Sequence, residues 1–255
     1  MGDTQGRDAQ GTARLQLTLR IREKNVPIGL SIPDRPVRLD ELLPALREMD
    51  DRLIDAMVAD TEAKGESVSC AKGCSACCRA QPVPVTPPEA YALARLVERL
   101  PEPRGTAVRA TFAANVAQMR EAGLYETYMR RAPDMTRDEA RVIARRYMAL
   151  KLTCPFLADD ACSIYAERPF VCRQYLVTSP PRLCDSPLDS AVKPIPMPAV
   201  FATAMLEAGK ALTGEAQYTV PLALALDYAQ AKRIDMEKTG PAKPAFEKII
   251  RAALK

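Results

Sequence analysis

The sequence predicts a mainly helical protein organised around a cysteine-rich metal site, with a small β-hairpin at its N-terminus. Three observations carry this. Apolar residues recur at threes and fours over most of the chain. Strict alternation is confined to one stretch near the start. The 8 cysteines fall into two groups, Cys70, Cys74, Cys77 and Cys78 within nine residues, then Cys154, Cys162, Cys172 and Cys184. Core-filling cysteines have no reason to recur so densely.

Leu15, Leu17, Leu19 and Ile21 alternate, as do Val26, Ile28, Leu30 and Ile32. Period two reads as two strands, with Glu23, Lys24 and Asn25 between them, whose apolar face a helix should cover. Residues 1–13 are polar, without an apolar run, and are expected to be a disordered tail. Asp40 is placed to cap a helix to about Lys64, with Leu39, Leu42, Leu43, Leu46, Met49, Leu53 and Met57 as its buried stripe. This hairpin and helix make a unit over 14–64.

A cysteine-cluster domain is expected over 65–190. Pro82-Val83-Pro84-Val85 is too proline-rich for a central strand. Thr86-Pro87-Pro88-Glu89 reads as a capping box opening a helix to Leu100, and a further helix spans about Gly105 to Ala122. Thr136-Arg137-Asp138-Glu139 opens another, to about Lys151. Its Arg137, Arg141 and Arg145, at steps of four, read as a solvated stripe, with an acidic partner as the alternative. Residues 191–255 supply three helices, about Ala199–Leu212, Val220–Glu237 and Ala245–Leu254, packed on the rest.

Composition narrows the chemistry. The chain has no histidine, which removes Ser-His-Asp and Cys-His catalysis and histidine-ligated zinc hydrolases. A net charge of +4 calls for no nucleic acid, and none is expected. No stretch is long and apolar enough to span a bilayer, so no membrane partner is expected either. With no signal peptide in view, the expected compartment is the cytoplasm, where thiols stay free or bind metal.

All eight cysteines are therefore candidate metal ligands. On one helix, Cys70 to Cys78 would spread along ~12 Å of axis, too far for one zinc at ~2.3 Å from each sulfur. Either the segment is a loop, as Gly73 suggests, or it feeds two metal centres. Eight thiols suit two four-thiolate sites or one larger cluster. Thiolates hold zinc and iron alike, so the expected cofactor is zinc or iron, the latter as an iron–sulfur cluster. Downstream, Asp159-Asp160 supplies a turn that folds Cys162 towards Cys154, and Pro169 suits the start of a short helix carrying Cys172 and Arg173. Arg168 and Arg173 flank Cys172, and a buried thiolate centre needs such donors. Arg173 is expected to point at sulfur or at a carboxylate beside it.

Cys70-x3-Cys74-x2-Cys77-Cys78, Cys154-Pro155-Phe156-Leu157, Cys162-Ser163-Ile164-Tyr165 and Arg168-Pro169-x2-Cys172-Arg173 together resemble the cysteine-cluster family of zinc- or iron-chelating domains. The resemblance covers about residues 70–175 and leaves Cys184 outside its core. It implies metal binding. Some relatives are flagellin lysine N-methylases, so it also implies an alternative, S-adenosylmethionine-dependent protein methylation. A structural zinc module binding a protein partner through the basic helix is a third reading. The spacing of Cys70, Cys74 and Cys77 is similar to that of radical S-adenosylmethionine enzymes, but Ala76 stands where those carry an aromatic residue, and no alternating strand-helix pattern follows.

Overall fold

The computed structural model describes residues 4–7, 11–21, 24–130 and 135–254. Its N-terminal sheet has β1 (Thr4–Arg7), β2 (Thr12–Ile21) and β3 (Lys24–Pro33), antiparallel in that order. Leu15 faces Leu30, Leu17 faces Ile28 and Leu19 faces Val26, so the alternation predicted from sequence sets the register and puts one apolar face inward. Pairing continues to Ile21 opposite Lys24. Lys24 and Asn25 therefore belong to the strand and not to the turn, and the remaining turn positions, 22 and 23, lie outside the described residues. Within the stretch expected as a tail, Thr4–Arg7 pairs with β2. Thr-Gln-Gly-Arg carries no apolar alternation to announce it.

After β4 (Pro36–Val37) comes a 3-10 turn, Leu39–Leu42, and then α1 (Leu43–Ala63). Pro44 has no N–H to give to a preceding carbonyl, so regular α-helix begins there and not at Asp40. Glu41 serves as the cap, its carboxylate accepting from Arg38 N–H at 2.9 Å, while Asp40 takes the Arg38 guanidinium at 3.0 Å. All seven stripe residues of this segment are buried.

The chain continues through β5 (Pro84–Val85), α2 (Pro87–Glu98), α3 (Arg104–Glu121), α4 (Tyr125–Met129), α5 (Arg137–Ala149), β6 (Leu157–Ala158), β7 (Ala161–Cys162) and α6 (Phe170–Gln174). It ends with α7 (Phe201–Thr213), β8 (Val220–Pro221), α8 (Ala225–Ala231), α9 (Arg233–Met236), β9 (Gly240–Pro241) and α10 (Ala242–Ala253). The helix expected over 220–237 is broken. Pro221 pairs with Pro84 as a short antiparallel bridge between β5 and β8 before helix resumes at Ala225. All described strand pairs are antiparallel, which leaves no parallel barrel among the described residues.

Two larger cores result. The sheet face packs with α1, α7 and α10, joined by Phe170 stacked on Phe201 at 5.2 Å. The second joins α2, α3 and α8 to Phe156 and Ile164 of the cysteine segment, with Phe112 edge-on to Phe156 at 5.6 Å. Between them lies buried Glu89. Its carboxylate accepts from Thr86 N and Oγ1 at 2.8 and 2.7 Å, closing the predicted capping box, and from Phe170 N at 2.7 Å. One buried acid therefore starts α2 and also fixes the start of α6, the helix that bears Cys172.

Candidate metal centre

The first cysteine group lies on a loop, as Gly73 suggests. Gly73 has φ +92°, open only to glycine without strain. Turns bring Cys74 N to Ala71 O and Cys78 N to Ser75 O, both at 3.0 Å, and a 3-10 turn carries Cys77 and Cys78. The loop is stitched to the downstream segment. Ser69 N donates to Val177 O at 2.8 Å, and the Cys70 thiol lies 3.9 Å from Tyr175 O.

The downstream group is built as its local sequence predicts. Asp159 and Asp160 have φ +49° and +56°, the two left-handed positions that a two-residue hairpin requires. The hairpin pairs Leu157 with Cys162 and so returns Cys162 towards Cys154. Asp160 has a second role, its carboxylate accepting from Ser75 Oγ at 2.9 Å and pairing with Arg79. Cys154 N donates to Cys78 O at 2.7 Å, joining the two groups through the backbone. Cys184, outside the motif core, sits on a 3-10 turn whose carbonyl accepts from Gln81 Nε2 at 2.7 Å.

The thiols do not sort as their order in the chain suggests. Cys184 senses Cys70, Cys74 and Cys77, whereas Cys172 senses Cys154, Cys162 and Cys77. Cys77 also bears on Cys70, Cys154 and Cys162. Electrostatic influence thus sorts them into Cys70, Cys74 and Cys184 on one side and Cys154, Cys162 and Cys172 on the other, with Cys77 coupled to both and Cys78 coupled to Cys77. A hydrogen bond with Cys78, then burial, pushes the Cys77 thiol far up. Burial raises Cys70, Cys162 and Cys172, and lifts Cys154 to about 12 and Cys184 to about 11. Such thiols resist becoming anions until a cation arrives, and a bound metal inverts that preference. All eight cysteines are free of disulfides. Among the described residues, no three Cys, Asp or Glu side chains are gathered closely enough to hold a metal ion. By its chemistry, a set of free thiols suits a thiophilic metal such as zinc or iron.

Arg168 and Arg173 divide their duties. Arg168 stacks on Tyr165 at 3.7 Å, and its charge favours the thiolate forms of Cys70, Cys77 and Cys162. Arg173 is 5% exposed and is directed to α1 and not to sulfur. It pairs with Asp51, lies 3.5 Å from Asp50 Oδ2 and donates to Ala166 O at 3.2 Å. Asp50, 0% exposed, also accepts from Gln174 Nε2 at 2.7 Å. Sequence reasoning missed Asp50, although an acid four residues after Leu46 and three before Leu53 falls on the apolar stripe and so has to be buried.

The arginine stripe of α5 is likewise not simply solvated. Arg141 donates to Leu188 O at 2.7 Å and Arg145 pairs with Asp189 at 2.5 Å, clamping the segment that follows Cys184. The Arg145 pair is exposed, so Arg145→Ala should change stability by no more than about 1 kcal/mol in urea denaturation.

No described helix is long and apolar enough to cross a membrane. No curated protein and no solved structure matches the chain. Residues 69–187 match a family described as "CxxCxxCC: Putative zinc- or iron-chelating domain", a span that takes in all eight cysteines. That segment of the chain is thus similar to the zinc- or iron-chelating cysteine-cluster family.

Proposed function

We propose that this chain is a cytoplasmic metal-binding protein whose eight cysteines hold zinc or an iron–sulfur centre. The observation that carries this is the joining of the four cysteine-bearing segments, Cys154 N donating to Cys78 O, the Cys70 thiol lying near Tyr175 O beyond Cys172, and Cys184 O held by Gln81 from outside the recognised motif. A common thiol between two three-thiol sets suits two neighbouring ions or one extended cluster. Zinc would supply a cross-link between loops, and an iron–sulfur centre would supply electron transfer as well. The protein's own part is to fix the loops through Asp160, Gln81 and Glu89 and to place the Arg168 charge beside the sulfurs. A structural zinc module binding a protein partner through the α5 arginines is the weaker reading, since Arg141 and Arg145 already make contacts within the chain.

Cys74→Ser and Cys162→Ser should each lower metal stoichiometry and expose the intervening segment to protease. Cys77→Ser should lower stoichiometry the most. Full metal content and unchanged protease resistance in all three variants would show that the ligands lie elsewhere.

A further inference from the structure

We infer that a cavity between α1 and α2 binds a small organic monocarboxylate with an apolar body. The cavity measures about 310 Å³, at the lower end of the range for small-molecule sites. Four arginines line it, Arg38, Arg47, Arg95 and Arg99. Arg38 is held by Asp40 at 3.0 Å, and Arg95 reaches the same carboxylate at 4.0 Å. Arg47 is different. It is half-buried and has no hydrogen-bond or ion-pair partner among the described residues.

Of the carboxylates that act on Arg47, two are committed elsewhere and the third, Glu167, makes no ion pair with it. Glu89 is engaged by Thr86 and Phe170, and Asp51 by Arg173. Burial lowers the pKa of Arg47, the electrostatic counterpart of its missing partner. A guanidinium presents a planar fork matched to a carboxylate, and a partly buried one without a partner favours any anion that reaches it. Leu43, Leu93 and Leu96 complete the wall with apolar surface. Of the lining charges, the four arginines exceed Asp40, Glu41 and Glu167 by one, which matches a monoanion and disfavours a doubly charged phosphate. Glu167 also bears on the Cys162 thiol, so the bound molecule would lie beside the cysteine centre. The inference does not rest on metal being present there.

Titration calorimetry of the full-length protein with 4-methylpentanoate at neutral pH tests it, with uncharged 4-methylpentanamide and inorganic phosphate alongside. The acid should bind at least about tenfold more tightly than the amide, the scale of a hydrogen bond to a charged group. Arg47→Gln should erase that difference, with far-UV circular dichroism confirming the fold. The ligand comparison on the unaltered chain needs no variant. Equal affinity for acid and amide, no binding of the acid, tighter binding of phosphate, or an unaffected acid in a folded Arg47→Gln variant would each overturn the proposal. Metal content measured on the same samples separates its failure from failure of the metal-binding reading.

Discussion

Arg173→Ala is expected to destabilise the folded chain by about 3 kcal/mol at neutral pH, near the lower limit for removing one partner of a buried ion pair. The loss comes mainly from Asp50, which is fully buried, with Oδ2 lacking any hydrogen-bond partner and Arg173 as its nearest cation. Asp51 is 57% exposed, so its pairing contributes little. Burial raises the Asp50 carboxyl from 3.8 to about 7 despite the Gln174 hydrogen bond and Arg173. Between those values the folded state holds a proton that the unfolded state has released. Its contribution to stability is thus complete below about pH 4 and is lost as pH rises to about 7. Without Arg173 the carboxyl moves higher still, so the penalty of Arg173→Ala should grow above neutral pH, and Asp50→Asn should remove that growth. Urea denaturation of the unaltered chain, the two single variants and the double variant, carried from acid to alkaline pH, decides the matter. A penalty below about 1 kcal/mol, or one that shrinks as pH rises, would show that Asp50 does not depend on Arg173. Because α6 carries both Arg173 and Cys172, any loss of metal in this variant reflects displacement of the helix and not a lost bond to sulfur.

What the sequence made legible was what depends on neighbours. The register of β2 and β3, the stripe of α1, the Thr86–Glu89 and Thr136–Glu139 capping boxes, the turn at Asp159-Asp160 and the loop at Gly73 each rest on a few adjacent residues. The pairings that complete the site rest on distant ones. Arg173 meets Asp50 and Asp51 more than a hundred positions away, and no spacing rule links them. Cys184 joins Cys70 and Cys74 because Gln81 holds its turn, and the α5 arginines find Leu188 and Asp189 because the chain doubles back after Cys184. The strand Thr4–Arg7 escapes notice for another reason. It is a polar edge strand, and alternation shows only where one face is buried.

Chelation should undo the cysteine domain before the rest of the molecule. Metal binding energy in such centres is folding energy, on the order of 10 kcal/mol for a structural zinc. The cysteine loops within residues 69–187 are tied by hydrogen bonds such as Ser75 to Asp160 and Arg79 to Ser75, which are exposed, and Gln81 to Cys184, which is half-buried. The core formed by β2, β3, α1, α7 and α10 takes just Phe170 from that span among its fully buried residues, so it should keep its amide protection while the loops lose theirs. The most direct test of the metal-binding account is metal and acid-labile sulfide analysis of the full-length protein purified without air. The account predicts stoichiometric zinc in a colourless protein, or iron with labile sulfide in a brown one. A metal-free protein with its eight cysteines joined as four disulfides, whether purified with or without air, would contradict it.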